Sequence, residues 1–234
     1  MRLRIKFTKT GPQRYISHLD TMRFFQKALR RAEVDVAMSE GFSPHMLMSF
    51  ALPLSLGMTS VGEYFDLDVR SLDSTEELKR RLGEQTGRDV KILSVKAIAE
   101  DKANKCMTQV EAADYTVWPV QSDGSVYDTA DEGFRKRIDD FMSRPEILFV
   151  KRTKKTESEL NIRPLIFSFT ADEAGMHLRL KAGSRDHVKC AAVMEKFSEI
   201  TGFVPASYEI RRDELLLLQN GAFIPLSGIG RTIP

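Results

Sequence analysis

Three residues within five positions of this chain, Arg14, Tyr15 and His18, are of types that act on nucleic acids. Arginine neutralises phosphates, tyrosine stacks on unpaired bases, and histidine transfers protons near neutral pH. They stand at the start of a predicted helix, where free backbone N–H groups attract anions. This pattern predicts an anion-binding site with His18 as a weak candidate general acid or base, and a plain surface or capping histidine is the alternative.

The helix that follows has one apolar and one basic side. Ser17, with Asp20 three residues on, predicts its N-terminal cap. The apolar stripe consists of Leu19, Met22, Phe25, Leu29 and Ala32. The basic side consists of Arg23, Lys27, Arg30 and Arg31. Residues 1–36 carry nine basic residues against three acidic ones, a net +6 on a chain of formal charge +2. The basic side therefore favours phosphate contact, and an ordinary solvated helix face is the alternative.

A second candidate site lies in the loop "GFSPH", residues 41–45. Gly41 and Pro44 predict a turn, which places Ser43 and His45 directly before the apolar run "MLMSF". Loops held on a rigid scaffold often carry binding residues, so both are candidates for nucleic-acid contact. His45 is also a weak catalytic candidate. A loop that only satisfies its own backbone is the alternative.

A third basic segment is "KRTKKTESELNIRP", which we predict to be a projecting hairpin. It has five basic residues against two glutamates, a net charge of +3. The residues expected to contact an RNA backbone are Lys151, Lys154, Lys155 and Arg163. A solvated loop would explain the same composition.

The first strand alternates apolar and basic residues. The core side consists of Leu3, Ile5 and Phe7, and the open side of Arg2, Arg4 and Lys6. Beside the open side we expect Asp66 and Asp68 of a neighbouring strand, so that cross-strand ion pairs form. A carboxylate pair for metal or acid–base chemistry is the alternative, but the sequence supplies no third ligand nearby.

The sequence predicts no metal site and no cofactor. Four histidines lack HxxxH or HxH spacing, and two cysteines, Cys106 and Cys190, are expected as reduced thiols. No phosphate loop, dinucleotide fingerprint or CxxxCxxC motif is present. No apolar run is long enough to cross a bilayer, and the first residues lack the apolar region of a signal peptide, which predicts a cytoplasmic protein without membrane contact.

Two successive βαββαβ patterns organise the chain, with a polar join near residues 100–108. This order predicts an α+β fold of two tandem ferredoxin-like units, antiparallel sheets with helices on one face. We expect an N-terminal unit over 1–105, a C-terminal unit with the basic hairpin over 106–218, and an irregular tail over 219–234. The strand assignment of 146–182 stays open, because this segment offers one strand more than the pattern needs.

Resemblance to a known family is carried by three segments, "YISHLDTMRFFQKALRRA", "GFSPHMLMSFALPLSLGMTSVGEYFDLDV" and "NIRPLI". Over essentially its whole length the chain resembles the radical-SAM-linked (radical-SAM-associated) proteins, an uncharacterised bacterial family and a domain of unknown function. The family motifs fall on Ser17, His18, Asp20, Gly41, Ser43, Pro44, His45, Gly57, Glu63, Arg163 and Pro164. The resemblance implies a working relation with a radical-SAM enzyme that acts on RNA, and it supplies no catalytic residues. Asn161 departs from the family, which often has an acidic residue there.

We therefore expect an RNA-binding module, a binding protein rather than an enzyme, that presents tRNA or rRNA to a separate radical-SAM enzyme. The basic helix side and the hairpin would hold phosphates, while Tyr15, His18, Ser43 and His45 would line a groove. One alternative is a metal-independent RNA endonuclease of the CRISPR-processing type, an analogy at the level of the fold. Another is a protein-only adapter whose loop Leu52–Met58 and C-terminal tail dock on the enzyme.

Overall fold

The computed structural model describes residues 1–152, 157–183 and 186–234. Helices and strands are mixed along the chain and the strand pairing is mostly antiparallel, which confirms the predicted α+β class. The helices are α1 His18–Arg31, α2 Thr75–Thr86, α3 Cys106–Gln109, α4 Glu132–Met142 and α5 Cys190–Thr201. The strands are β1 Arg2–Lys9, β2 Met48–Phe50, β3 Thr59–Asp68, β4 Ile92–Ile98, β5 Ala112–Val120, β6 Leu148–Arg152, β7 Glu157–Asn161, β8 Ile166–Asp172, β9 Gly175–Lys181, β10 Ser207–Gln219 and β11 Ala222–Pro225. Within the described residues, no helix combines the length and apolar character needed to cross a membrane.

Two compact units divide the chain. Unit 1 comprises Met1–Glu111 together with Arg212–Pro234, and unit 2 comprises Ala112–Arg211. The C-terminal residues therefore belong to unit 1, whereas the sequence alone suggested a second unit over 106–218 followed by a separate tail. The tail also has regular structure, because it contains β11 and a short 3-10 helix at Leu226–Gly228.

Unit 1 is built on a sheet of order β4-β1-β3-β10, with β2 beside β3 and β11 beside β10. Alternation in β1 fully buries Leu3, Ile5 and Phe7, as predicted. These side chains pack with buried residues of α1 and α2, among them Phe25 and Leu78. The apolar layer between the two helices and the sheet is the core of unit 1.

The other side of this sheet was expected to be open, and it is covered. Arg2 binds Asp68 and Arg4 binds Asp66, each through two hydrogen bonds, which confirms the predicted cross-strand pairs. Arg4 is nevertheless only 1% exposed. The cover comes from residues 104–109 and from the returning chain. Arg4 donates to the carbonyl of Asn104 at 2.6 Å, to the side chain of Gln109 at 2.8 Å and to the carbonyl of the fully buried Leu226 at 3.4 Å. A strand pattern alone could not reveal this second layer.

The C-terminal tail is bound within unit 1. The backbone N–H and carbonyl groups of Arg231 and Ala97 exchange hydrogen bonds of 2.9 and 2.8 Å beside β4. The backbone of Ile233 pairs with Thr75 at the start of α2, with all three N···O and O···O distances at 3.0 Å. The tail therefore contributes to the fold of unit 1, and an adapter that used it to dock on a partner would have to break these bonds.

Helix α1 begins as predicted but buries a different stripe. The Ser17 hydroxyl accepts a hydrogen bond from the backbone N–H of Asp20 at 3.2 Å, which confirms the cap. Leu19, by contrast, is 62% exposed, and Thr21 is buried in its place. At about 100° per residue, the six positions between Leu19 and Phe25 leave the two side chains about 120° apart around the helix. Leu19 thus lies outside the stripe centred on Phe25.

Besides the Ser207–Arg211 part of β10, unit 2 has a sheet of order β5-β9-β8. Helices α4 and α5 bury aromatic residues together with it, and the rings of Phe141 and Phe197 lie 5.5 Å apart. Strands β6 and β7 form a separate two-stranded antiparallel sheet. The surplus strand of the sequence is thereby accounted for, because "EILFVKR" contains β6 and "PLIFSF" contains the start of β8.

Candidate functional site

The start of α1 brings three predicted residues together. Arg14 and Tyr15 end a 3-10 helix at Gly11–Tyr15, and His18 is the first residue of α1. Tyr15 is 63% exposed, and the guanidinium carbon of Arg14 lies 4.9 Å from the centre of its ring. The backbone N–H of Gly57 donates to the Arg14 carbonyl at 2.9 Å, which fixes this turn against the loop before β3. An exposed aromatic ring therefore stands beside a cation on a rigid support.

His18 is half-buried against β2. Its ring lies 5.3 Å from the ring of Phe50 in an edge-to-face arrangement, with an interplanar angle of 86°. Burial holds the pKa of His18 below its ordinary value of 6.5, the positive charge of Lys9 lowers it further, and Glu63 opposes both. At pH 7 the imidazole is therefore neutral and can accept a proton.

Near enough to His18 for its charges to act on the imidazole is a buried polar group, the Lys9 cluster, defined by Lys9, Ser60, Glu63 and Arg212. Lys9 is 4%, Glu63 5% and Arg212 2% exposed. Arg212 donates two hydrogen bonds, of 2.8 and 2.5 Å, to the carboxylate of Glu63. The Ser60 hydroxyl donates to the backbone carbonyl of Arg212 at 2.9 Å. Burial lowers the pKa of Lys9 from its ordinary value, and the nearby Arg212 adds to this shift.

The Lys9 cluster holds both loops that surround His18. Lys9 donates to the carbonyl of Ile16 at 2.9 Å, and Arg212 donates to the carbonyl of Leu52 at 2.8 Å. Sequence reasoning missed this cluster, apart from Glu63 as a position in a family motif. One sequence feature indicates it, because the alternation of apolar and polar residues stops at the end of β1. At this point the pairing of β1 with β3 shifts register, between Phe7 and Lys9.

The depressed pKa of His18 predicts an acid-sensitive contribution to stability. The folded state binds fewer protons at His18 than the unfolded state once the pH falls below 6.5, so stability should fall there and be unaffected above pH 7.5. In His18→Gln, this part of the loss of stability at low pH should be absent. Urea unfolding at pH 7.5 and 5.5 measures it, with His187→Gln, at an exposed histidine of unit 2, as the control. A decline that is the same in both variants and the parent protein would contradict the assignment.

The basic side of α1 faces solvent. Lys27 and Arg30 are exposed there. Arg23 binds Asp20 at 3.1 Å with most of its side chain exposed, and Arg31 donates to the carbonyl of Gln85 at 2.8 Å. Lys27 and Arg30 are therefore the members of this face that can be changed without disturbing these contacts.

The loop residues Ser43 and His45 have surroundings different from those of His18. Both are exposed, and His45 is held by Ser39, whose hydroxyl contacts its Nδ1 at 2.8 Å. His18 contacts Phe50 in β2, whereas His45 lies in the loop before that strand. The groove predicted for Tyr15, His18, Ser43 and His45 stays a prediction.

Among the basic residues of the hairpin, the structure describes the side chain of Arg163, which contacts backbone carbonyls. Arg163 is half-buried and donates to the carbonyls of Met142 and Ile166 at 2.9 and 3.2 Å, which closes the end of α4. The Asn161 side-chain oxygen accepts hydrogen bonds from the backbone N–H groups of Ile147 and Arg163, both at 3.0 Å. A carboxylate could accept the same two bonds, which accounts for the exchange with an acidic residue at this position.

The side chains of the other basic residues of the hairpin lie outside the described part of the chain. Of Lys151 only the backbone is described, in β6, and Lys154 and Lys155 lie outside the described residues. Their predicted contact with RNA stays a prediction.

The carboxylates and thiols are engaged in structural contacts. Asp66 accepts from Arg4 and also from the backbone N–H of Cys106 at 2.6 Å. Cys106 and Cys190 are free and buried, and burial raises the pKa of the Cys106 thiol to about 12. In the described part of the chain, no three His, Cys, Asp or Glu side chains are grouped so that they could hold a metal ion.

Fold and site together define a mixed α+β protein in which a cationic helix begins beside a buried polar cluster. The chain belongs to the family described as "Uncharacterized protein conserved in bacteria (DUF2344)", whose model matches residues 2–190. This match confirms the domain of unknown function that the three sequence segments indicated. No curated protein matches the chain.

Proposed function

We propose that this protein is a cytoplasmic RNA-binding module that presents a tRNA or an rRNA to a separate radical-SAM enzyme. The observation that carries the proposal is the solvent-facing side of α1, where Arg23, Lys27 and Arg30 are exposed. Lysine and arginine at such a surface gain affinity for nucleic acids by replacing the counterions of phosphates.

The charge of α1 sets it apart from the other long helices. It carries four basic residues and one acidic residue, a net +3. Helix α2 carries three of each, and its arginine Arg80 binds Glu77 and Glu84 at 2.7 and 2.5 Å. Helices α4 and α5 have net charges of zero and −1. A phosphate chain would therefore be drawn to α1 among these four helices.

The start of α1 favours a single-stranded or looped segment of RNA. Tyr15 offers a ring on which an unpaired base can stack, and Arg14 beside it offers a guanidinium plane. The backbone N–H groups of the first turn attract a phosphate at the same place. Stacking and charge thus meet at one end of the basic face.

Two further lines support the proposal. The strand orders β4-β1-β3 with β2 beside β3, and β10-β5-β9-β8, are consistent with two ferredoxin-like units, which we infer as the finer fold. A relation to a radical-SAM enzyme is implied by the family resemblance. Cys106 and Cys190 are both buried, and two thiols cannot ligate the three-cysteine cluster of such enzymes, so the radical chemistry would belong to the partner.

Charge reversal on α1 tests RNA binding. In Lys27→Glu/Arg30→Glu we expect the affinity for bulk tRNA or rRNA fragments to fall by at least about tenfold, with the salt dependence flattened by roughly one unit of slope per lost contact. Fluorescence anisotropy across a salt series measures both quantities.

The matched control is Lys79→Glu/Arg88→Glu, which makes the same change in charge on and just after α2. Binding by the control should stay within about twofold of the parent protein, apart from the general effect of net charge. An equal loss in both variants, or no loss in either, would overturn the proposed interface.

A further inference from the structure

A small polar cavity lies in unit 1 at the end of the sheet that carries the "GFSPH" loop. Its volume is about 130 Å³, and its polar lining consists of Arg2, His45, Ser49, Asp66, Asp68 and Lys105. At about 30 Å³ per water, this is room for about four waters or for one tetrahedral anion. Neither the RNA interface on α1 nor the Lys9 cluster uses this cavity.

Ser49 supplies a buried hydroxyl to the lining. Its residue lies in β2 opposite Asp66. The side-chain oxygen is buried and has no hydrogen-bond partner among the residues that the structure describes. The backbone carbonyl of Ser49 is engaged, since it accepts from the thiol of Cys106 at 3.3 Å. A buried hydroxyl without a partner costs free energy, so this one is an available donor or acceptor for a ligand.

His45 and Lys105 add two donors. The hydroxyl of Ser39 accepts from the backbone N–H of His45 at 3.1 Å and contacts Nδ1 of the His45 ring at 2.8 Å. Among the described residues, Nε2 has no hydrogen-bond partner, so it is the ring nitrogen available to a ligand. Within the described chain, the Lys105 ammonium makes no ion pair, and it is half-buried at the cavity wall.

The acceptors of the lining, by contrast, are already occupied. Arg2 binds both oxygens of Asp68 at 2.7 and 3.1 Å. Arg4 likewise binds both oxygens of Asp66, at 2.9 and 3.2 Å. These pairs cancel in charge, which leaves Lys105 as the uncompensated charge of the cavity. A cation is disfavoured, and no metal-binding group of three occurs among the described residues.

We propose that this cavity binds a small oxyanion, either free inorganic phosphate or the terminal phosphomonoester of a nucleic acid. Lys105 supplies the charge, the Ser49 hydroxyl binds one oxygen, and the His45 imidazole binds another from the exposed rim. Charge-assisted hydrogen bonds from an ammonium are the strongest of the three. The inference does not depend on RNA binding by α1.

Calorimetric titration of the full-length protein with inorganic phosphate tests the site. We expect saturable binding that Lys105→Gln weakens by about tenfold or more. Lys102→Gln, at an exposed lysine of the same segment, should leave the affinity unchanged. Absence of saturable binding, or equal effects of the two lysine variants, would overturn the proposal.

Ser49→Ala separates a binding role from a structural one. Removing a hydroxyl that has no partner within the described residues should keep or raise the melting temperature without phosphate, while it weakens phosphate binding severalfold. A lower melting temperature with unchanged phosphate affinity would contradict a role in binding.

Short RNA oligonucleotides with and without a terminal phosphate distinguish the two sources. A terminal phosphate that strengthens binding in the parent protein but not in Lys105→Gln identifies a nucleic-acid end as the ligand, and no such gain identifies free phosphate. Lys27→Glu/Arg30→Glu should bind inorganic phosphate as the parent protein does. Failure of the α1 interface and failure of this cavity can therefore be told apart.

Discussion

Arg4→Met is expected to destabilise the folded protein by about 3–5 kcal/mol, because it leaves a buried carboxylate without its counter-charge. Arg4 is 1% and Asp66 3% exposed. The guanidinium also donates to the carbonyl of Asn104 at 2.6 Å and to the side chain of Gln109 at 2.8 Å. After the substitution, Asp66 would keep one hydrogen-bond donor among the described residues, the backbone N–H of Cys106 at 2.6 Å.

Urea unfolding at pH 7 measures this effect, and two variants calibrate it. Arg2→Met breaks the neighbouring pair, whose Asp68 side chain is 24% exposed, so the expected loss is nearer to about 1 kcal/mol. Arg4→Met/Asp66→Leu removes both charges and should recover most of the loss. Equal destabilisation by Arg2→Met and Arg4→Met would mean that burial on the second face of the sheet does not determine how much each ion pair contributes to the free energy of unfolding.

Gly62→Ala is the second substitution with a large expected effect, a loss of about 3 kcal/mol. An added methyl at Gly62 would overlap the carbonyl oxygen of Asp213 and stand 2.7 Å from the α-carbon of Glu214. Both are backbone atoms of β10, which cannot move aside as a flexible side chain would. To make room for the methyl group, β3 and β10 would have to move apart at this position.

Gly83→Ala is the matched control for this prediction. Gly83 lies within α2, and a methyl group there would meet nothing within 4 Å. Alanine in a helix is favoured over glycine, so this variant should gain about 0.5–1 kcal/mol. Both substitutions replace glycine with alanine, but their effects on the free energy of unfolding are expected to have opposite signs. A loss in both would show that close approach of the two strands is not the cause.

Local patterns were enough to predict several features of unit 1. The cap at Ser17 and the burial of Leu3 and Phe7 follow from residues close together in the chain. The pairing of Arg4 with Asp66 followed from alternation together with a strand order expected for βαββαβ. Leu19 was wrongly assigned to the buried stripe of α1. Its side chain lies about 120° around the helix from Phe25, at the centre of that stripe.

Contacts over long separations were not predictable in this way. The sequence indicated Arg212 only as part of a closing strand, yet it is the partner of Glu63 within the Lys9 cluster. The contacts of His18 with Phe50 and of His45 with Ser39 were likewise not predicted, and the groove expected for both histidines stays a prediction.

By itself, the sequence determined the α+β class, the cap of α1, the basic side of α1 and the burial of one face of β1, because periodicity and capping act within a few residues. Only the tertiary structure decided that the second face of the sheet is closed, that Lys9 is buried near His18, and that the tail belongs to unit 1. These outcomes depend on Arg212 and Leu226 returning to strands more than 140 positions earlier. The physical reason is that a buried charge needs a partner of opposite charge, and the fold can supply this partner from a residue far away in the sequence. The residues between the two partners give no indication of this contact.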